Sequence, residues 1–282
     1  MKIKFVVDST CDIPEETIEK YDIDVLPLEI NWGEQVYKDG VQLTKEEFLK
    51  KLAESDTIPK TSQPSVGEFA KVYEKAFKDG YEKIISVHIT SGFSGTYQGA
   101  EAAAKMVDSK NIAVIDSFTA TMGAGWLVFE AIELMEAGTS FEEIIDKLEA
   151  KRENSKVIIY LDTLEYAIKG GRISKLKGIV GSLFNIKPII YFENKVVKEF
   201  SKSRGKNKAL QSMVNCMEEL FSIDSQKEVK VAMAYGTDRK NAEKVMEKIK
   251  EKYNVTESMI YQIGSAVAVH GGPGLLAISV TW

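Results

Sequence analysis

The chain has 282 residues, of which 44% are hydrophobic and 28% charged, a composition typical of a soluble globular protein with about two domains. Its net charge of −5 argues against a nucleic-acid partner, because binding to a phosphate backbone requires a basic surface. All apolar runs fall short of the roughly 20 residues that cross a bilayer. The N-terminal stretch MKIKFVVDSTCD becomes acidic too early for a signal peptide, so we expect a cytoplasmic protein.

The first half of the chain alternates strand-like apolar runs with amphipathic helices. Strands are predicted at IKFVVDS, VLPLEIN, IISVHI and NIAVIDS. Three residue pairs have the spacing of a capping box, which predicts the start of a helix: Asp12 and Glu15, Thr44 and Glu47, and Ser65 and Glu68. Near-continuous Val/Ile runs that alternate with helices indicate a parallel sheet covered on both faces. We therefore predict an α/β fold that begins with a three-layer α/β/α domain.

The second half predicts an α+β domain with a mixed sheet. A strand at VIIYL precedes helical patterns at LEYAIKGG and ISKLKGIVGSLF, and KPIIYFENKVVKEF reads as a hairpin with its turn at Glu193-Asn194. A helix, a strand, a second helix and the strands SMIYQI and LLAISV complete this half. We place the two domains at residues 1–158 and 159–282, with the ligand site in the cleft between them.

Hydroxyl side chains gather where the strands of the first half end. They lie in the segments 8–12, 61–65, 90–96 and 116–119. The carboxyl ends of parallel strands share one edge of the sheet, where ligands bind, and several of these segments precede helices, whose N-termini favour anions. Each segment alone could serve only to cap its helix, but the four together favour an anion site.

The residues that the segment 88–100 lacks indicate which type of anion the site would bind. Residues 88–100, HITSGFSGTYQGA, contain neither a P-loop nor a dinucleotide-binding glycine motif, and no Lys or Arg. Hydroxyls and amides alone would neutralise a phosphate poorly but suit a single carboxylate. His270, in AVAVHGGPG, could donate to that carboxylate from the end of a strand, or be purely structural. Arg172 and Arg204 could supply positive charge or face solvent.

A serine-type acyl hydrolase or acyltransferase is the alternative. Ser94 would be its nucleophile and His270 its base, with Asp8 or Asp116 to orient the histidine. However, Gly95 follows Ser94 directly, so GFSGT lacks the G-x-S-x-G spacing.

The remaining cysteine and histidine residues are too few for a disulfide framework or a zinc site. They are Cys11, Cys216 and His88. We interpret the two cysteines as packing residues and His88 as a strand residue whose hydrogen bonds are satisfied. We predict no metal.

Five motifs, in this order and spacing, resemble the DegV family. They are DSTCD at 8–12, TSQPS at 61–65, SGFSGT at 91–96, GGR at 170–172 and HGGPG at 270–274, and the resemblance runs from end to end. It implies a bacterial fatty-acid-binding protein of two α/β domains that hold a long-chain acid such as palmitate, stearate or oleate between them.

The resemblance also implies a role for particular residues. Thr61, Ser94 and His270 would bind the carboxylate, and five others would support the site: Ser62, Gly95, Thr96, Arg172 and Arg204. The chain would be a non-catalytic subunit without a cofactor. It would present the fatty acid to a separate ATP-dependent fatty acid kinase, which makes acyl-phosphate for phospholipid synthesis, with transient contact at the membrane surface.

Two points stay open at this stage. A regulatory module that senses acyl lipids without passing them on would share the same motifs. The apolar segments ISKLKGIVGSLFNIKPIIYF and GAGWLVFEAIELM could line the acyl tail or belong to the ordinary core.

Overall fold

In the computed structural model, which describes residues 1–172, 176–177 and 186–282, the chain forms three β-sheets. The strands are β1 Ile3–Asp8, β2 Asp24–Leu26, β3 Glu29–Trp32, β4 Gln35–Lys38, β5 Lys60–Ser62, β6 Lys83–His88, β7 Ile112–Asp116, β8 Ser155–Tyr160, β9 Leu176–Lys177, β10 Ile186–Glu193, β11 Val196–Arg204, β12 Glu228–Tyr235, β13 Asn254–Gln262 and β14 Leu276–Thr281.

The helices connect these strands. They are α1 Glu15–Tyr21, α2 Lys45–Glu54, α3 Val66–Lys78, α4 Thr96–Val107, α5 Met122–Glu136, α6 Phe141–Lys151, α7 Glu165–Lys169, α8 Lys206–Phe221, α9 Arg239–Lys252 and α10 Ser265–Gly271, with short 3-10 helices at Ser9–Cys11 and Arg152–Asn154. None of the helices in the described ranges combines the length and the apolarity that a membrane span needs.

The first sheet is parallel and covered on both faces, as predicted. Its strand order is β2-β1-β6-β7. One face packs against α3 and α4, in a core that contains Phe69 and Tyr73. The other face packs against α5 and α6, through Leu127 and Ile144. Two apolar faces on one sheet explain why its strands read as continuous Val/Ile runs.

The second sheet is mixed, which confirms the α+β prediction. Its order is β13-β12-β14-β8-β10-β11-β9, with both parallel and antiparallel pairs. Helices α8 and α9 cover one face through residues such as Met213 and Val245. Strand β8 spans the predicted domain boundary at residue 158 and pairs along its length with β14. The division into 1–158 and 159–282 itself stays a prediction.

A third, antiparallel sheet was not predicted. Its order is β4-β3-β5, and it arises because VLPLEIN is not one strand. The run breaks after Leu26, and the two parts, β2 and β3, pair in different sheets. The break coincides with Pro27, whose nitrogen cannot donate to a strand ladder.

The capping predictions succeed at two of the three sites. Thr44 and Ser65 both form complete capping boxes at the starts of α2 and α3. The prediction for Asp12 is wrong. Helix α1 begins at Glu15 after Pro14, while Asp12 has a φ of 54° and ends the preceding 3-10 helix. Its carboxylate is buried and pairs with Lys45 at 3.0 Å.

The predicted hairpin is present as β10 and β11, with its turn one residue later than expected. Asn194 and Lys195 have φ values of 47° and 66°, the left-handed pair that tight hairpin turns require. Residues 176 and 177, which we predicted to be helical, form the short strand β9. The rest of the helix predicted at ISKLKGIVGSLF lies outside the described residues.

The hairpin turn contacts the first domain at two points. A Cβ at Gly92 would lie 1.8 Å from the Lys195 carbonyl oxygen, so only glycine permits this approach of the two backbones. The Lys195 ammonium lies 3.0 Å from a carboxylate oxygen of buried Asp116. The SGFSGT loop and the second domain are therefore held against each other.

A buried polar chain runs through the parallel sheet. Tyr73 contacts the Ser86 hydroxyl at 2.8 Å, and Ser86 contacts Nε2 of His88 at 2.7 Å. Nδ1 of His88 lies 3.0 Å from Asp8, which also accepts hydrogen bonds from the Ile89 and Thr10 amides. His88 is fully buried in β6 with both ring nitrogens hydrogen-bonded, as expected of a satisfied strand residue, and both cysteines are buried as well.

Asp8→Asn should lower the free energy of unfolding by about 3 kcal/mol, because an amide brings donor hydrogens to a buried site already filled with donors. Urea denaturation at pH 7 measures the change, with the surface variant Asp79→Asn as control. Equal stability of the two variants would contradict the role given to the buried chain.

Candidate functional site

A largely apolar cavity lies between the seven-stranded sheet and the loops at the carboxyl edge of the parallel sheet. About 720 Å³ of atom-free space lies within it, a volume that includes open solvent. The apolar residues on its wall come from both halves of the chain: Leu28, Ile89, Phe93, Ala120, Ile159, Leu161, Ala167, Ile190, Phe192, Val197, Ala266, Val267, Gly271 and Leu275. The cavity therefore lies where residues of the two halves of the chain meet, the position at which we expected the ligand cleft.

The polar side chains on the described part of this wall are Thr10, Thr61, Ser94, Arg172 and His270. Four of the five belong to the predicted site. No Asp or Glu is among the described lining residues. The wall therefore offers an entering ligand hydrogen-bond donors and positive charge.

Thr61 and His270 are joined directly across the two domains. The Thr61 hydroxyl in β5 lies 2.8 Å from Nε2 of His270. His270 is in the last turn of α10, not at the end of a strand as we predicted from AVAVHGGPG. The helix ends where glycine follows the apolar run, because Gly272 has a φ of 79° and closes its C-terminus.

His270 is neutral at physiological pH. Burial and the nearby positive charge of Arg172 lower its pKa to about 3. Nδ1 is buried and has no hydrogen-bond partner in the described part of the chain. A buried acceptor without a partner costs less free energy than a buried N–H without one. We therefore leave Nδ1 unprotonated and assign the proton to Nε2. Nε2 then donates to Thr61, and the Thr61 hydroxyl proton is free for a ligand.

Ser94 lies beside the N-terminus of α4. Its hydroxyl is 2.8 Å from that of Thr96 and accepts from the Thr96 amide at 3.3 Å. The N-cap residue of α4, Gly95, provides no side-chain cap, and the helix dipole adds partial positive charge there. Gly95 lies against the Gln63 side chain, whose Oε1 would be 2.0 Å from a Cβ at this position. Thr96 and Gly95 thus support Ser94 without lining the cavity.

Arg172 is a half-buried cation with no ion-pair partner among the described residues. Its guanidinium donates to the Gly170 carbonyl at 3.1 Å, and desolvation alone lowers its pKa. Residues 173–185, most of which lie outside the described ranges, contain no Asp or Glu in the sequence. A half-buried guanidinium of this kind favours an anionic ligand.

Besides Gly95 and Thr96, two further predicted site residues do not line the cavity. The Ser62 hydroxyl accepts from the Asn31 amide at 2.8 Å, because successive side chains of a strand point to opposite sides and Thr61 takes the cavity side. Arg204, at the end of β11, is exposed and is not on the cavity wall.

The proposed hydrolase residues are not assembled. Ser94 bonds to Thr96 and His270 to Thr61, whereas Asp116 accepts from the Ser91 amide. The Ser–His–Asp chain that the described structure does contain, Ser86–His88–Asp8, is fully buried away from any substrate.

Thr10 and Phe93 line the cavity but were not predicted as site residues. Thr10 belongs to the hydroxyl-rich end of β1, which was the available signal. Phe93 contacts Phe192 edge to face, with ring centroids 5.8 Å apart. The segment GAGWLVFEAIELM, by contrast, forms α5 and does not line the cavity; Leu127 and Ile132 pack against the parallel sheet.

Comparisons with known proteins agree with this architecture. The sequence model of a family described as "Uncharacterised protein, DegV family" matches residues 2–281. The chain belongs to the DegV family. Protein DegV of Bacillus subtilis is 33% identical over 281 residues, which cover 99% of this chain and 98% of the relative.

Solved structures of DegV proteins have the same fold. The crystal structure of Bacillus subtilis DegV, described as a fatty acid binding protein, matches with a TM-score of 0.89 at 32% identity, over 100% of this chain and 99% of that one. A DegV lipid binding protein from Thermotoga maritima gives 0.91 at 29% identity, over 100% and 98%. A stearic acid-binding protein from Eubacterium ventriosum gives 0.88 at 29% identity, over 99% and 98%.

The assignment of His270 can be tested by NMR, because the chain has only two histidines. In the ligand-free protein, long-range ¹H–¹⁵N spectra should show His270 neutral, with its proton on Nε2, down to about pH 4. The variant His270→Gln identifies its signals. A titration with an ordinary pKa near 6.5, or a proton on Nδ1, would contradict the assignment.

Proposed function

We propose that this DegV protein binds a long-chain fatty acid between its two domains, with the carboxylate at Thr61 and Ser94. The observation that carries the proposal is the composition of the cavity wall. It combines an extensive apolar lining with hydroxyls, a neutral histidine and one cation that lacks a carboxylate partner in the described chain. Such a wall suits a ligand with one negative charge and a long apolar part.

Each polar group has a defined task. The Thr61 hydroxyl, oriented by Nε2 of His270, donates to one carboxylate oxygen. The Ser94 hydroxyl, oriented by Thr96, donates to the other, next to the N-terminus of α4. Arg172 supplies the opposite charge. Hydrogen bonds to an ionised acceptor are about twice as strong as neutral ones, so these groups favour the carboxylate over the protonated acid.

The acyl tail supplies most of the binding free energy. Each methylene removed from water contributes about 0.8 kcal/mol, so a chain of fourteen to eighteen carbons gains roughly 10–14 kcal/mol before ordering costs. Ile159, Ile190, Phe192 and Val197 lie on the wall of the cavity and are the side chains that would contact the tail. The fatty acid ligands named for related proteins support the same assignment.

We further propose that the bound acid is handed to a separate kinase. The described site contains no assembled nucleophile and base, so chemistry on the carboxylate requires another protein. In that step an oxygen of the bound carboxylate would attack the γ-phosphorus of ATP, and ADP would leave, giving acyl-phosphate. The resemblance of the five motifs to fatty-acid-carrier subunits supports this role, in the cytoplasm of a bacterium.

Mass spectrometry of lipid extracted from the purified protein tests fatty acid binding. We expect about one free fatty acid of sixteen or eighteen carbons per chain. Thr61→Val and Ser94→Ala should each weaken palmitate affinity by about 10- to 100-fold, the worth of a hydrogen bond to a charged group. Ser62→Ala is the matched control, because Ser62 neighbours Thr61 in β5 and bonds outside the cavity.

Three outcomes would contradict binding in this form. An empty protein that also refuses added palmitate would remove the function. An acyl group covalently attached to Ser94 would make the protein an enzyme. Equal loss of affinity in Ser62→Ala and Thr61→Val would place the carboxylate elsewhere.

The kinase role has its own test. Palmitate-loaded protein, ATP and a bacterial fatty acid kinase should together yield palmitoyl-phosphate, which hydroxylamine traps as a hydroxamate. Loaded protein with ATP alone should yield none. Hydroxamate without the kinase would make this chain the catalyst. No hydroxamate with the kinase, from a protein that holds palmitate, would favour a sensor of acyl lipids.

A further inference from the structure

Three charged residues from the first 45 positions of the chain lie at the start of α10. Lys45, on α2, donates to a carboxylate oxygen of Asp12 and to the Gln262 carbonyl, both at 3.0 Å. Asp39, just before α2, accepts from the Ser265 amide at 3.1 Å. We call Asp12, Asp39 and Lys45 the α10 anchor.

The anchor fits the backbone of the turn closely. A Cβ at Gly264 would lie 2.8 Å from Oδ1 of Asp12, so the carboxylate can approach the turn only because this residue is glycine. The carboxylate of Asp39 also stabilises the first turn of α10, whose amides have no partner within the helix. All three anchor residues precede residue 46, whereas α10 belongs to the second domain.

The same helix forms part of the cavity wall. Ala266, Val267, His270 and Gly271 of α10 line the cavity, and His270 reaches Thr61 from its last turn. A helix of seven residues is about 10 Å long, so a shift at its start moves His270 as well. Ala268 and Val269 pack this helix into the core, and the anchor adds directional polar contacts at its start.

We propose that Asp12, Asp39 and Lys45 are positioning residues that hold α10 so that His270 meets Thr61, and that they thereby slow release of the bound fatty acid. This proposal rests on the proposed function. It differs from the direct contacts at the carboxylate, because none of the three anchor residues lies on the described cavity wall.

The anchor carries more negative than positive charge, which makes it sensitive to pH. One oxygen of Asp12 and one of Asp39 are buried without a hydrogen-bond donor in the described chain. Burial raises the pKa of Asp39, and it raises that of Asp12 to about 6 in spite of the Lys45 charge. Below that pH, Asp12 is neutral and its attraction for Lys45 is lost.

The groups around Asp12 come from several elements. Lys45 on α2, Asp39 before α2 and Tyr261 on β13 interact with its charge, as does Cys11 beside it. Asp8, Glu15 and Glu19 line the same surface crevice as Asp12. Most of these neighbours are acidic or neutral, so Lys45 is the cation that keeps Asp12 ionised at neutral pH.

The test measures transfer of labelled palmitate from loaded protein to excess albumin. At pH 7.5, Lys45→Met and Asp12→Asn should release palmitate at least about 10-fold faster than the parent chain, with association changed much less, since affinity within one site varies mainly through the off-rate. Lys45→Arg should restore most of the retention. Lys50→Met is the matched control, because Lys50 is exposed on the same helix.

The pH profile separates positioning from simple loss of stability. In the parent chain, release should accelerate between pH 7.5 and 5.5, and Asp12→Asn should lack this acceleration. In the ligand-free Asp12→Asn variant, the His270 NMR signal should move while that of His88 stays. If Asp12→Asn does not fold, Lys45→Met tests the same point. Faster release and a shifted His270 signal in Lys45→Met, both restored in Lys45→Arg, would support the positioning role.

The two proposals fail in different ways. Parent protein that never retains palmitate would overturn the proposed function, and the positioning role with it. Parent protein that retains palmitate, with anchor variants that release it at the parent rate, keep the parent pH profile and leave the His270 signal unmoved, would overturn the positioning role alone.

Discussion

A carboxylate keeps its charge inside an apolar cavity only if protein groups replace the water that it loses. In the proposed function, that requirement accounts for the arrangement of the cavity wall. Thr61 and Ser94 come from the first domain, and His270 and Arg172 from the second. Each half of the chain supplies some of the hydrogen bonds and charge that would replace water around the carboxylate. The proposed site is therefore complete only where the two halves meet. The apolar wall beside it excludes water and thereby strengthens each of these interactions.

A close backbone contact holds the two halves of the chain against each other. Gly92 allows the β10–β11 turn to rest on the SGFSGT loop, because a Cβ there would lie 1.8 Å from the Lys195 carbonyl oxygen. Substitution of this glycine would push the turn and the loop apart. In the positioning role proposed above, Asp12, Asp39 and Lys45 would add to this by holding the start of α10. Retention of a ligand would then depend on how firmly the domains are held together.

Much of the architecture could be predicted from the sequence because local rules decided it. Thr44 and Ser65 each cap a helix because a glutamate follows at the spacing of a capping box. The Val/Ile runs between the helices form the parallel sheet. Asp12 had the same spacing, but Pro14 starts the helix later, and pairing with Lys45, 33 positions away, decides its conformation.

Site residues that belong to a recognisable motif could be predicted from the sequence. Those that reach the cavity only through the packing of the chain were harder to predict. Neighbours in β5, Thr61 and Ser62 look equivalent in the sequence, yet the strand turns only one toward the cavity. The apolar residues of the cavity wall were harder to predict, because Ile190 and Phe192 look like ordinary core residues in the sequence. Only the packing of the three sheets shows that they lie on the cavity wall. Helix α10 was missed because seven largely apolar residues fit a strand equally well.

The ionisation state of the bound ligand tests the central claim most directly. Palmitate labelled with ¹³C at its carboxyl carbon, bound to the protein and followed by NMR from pH 4 to 9, reports the charge of that group alone. We predict one slowly exchanging resonance that stays at the position of the ionised acid to a lower pH than free palmitate does. A bound carboxyl that becomes protonated at higher pH than the free acid would contradict the account.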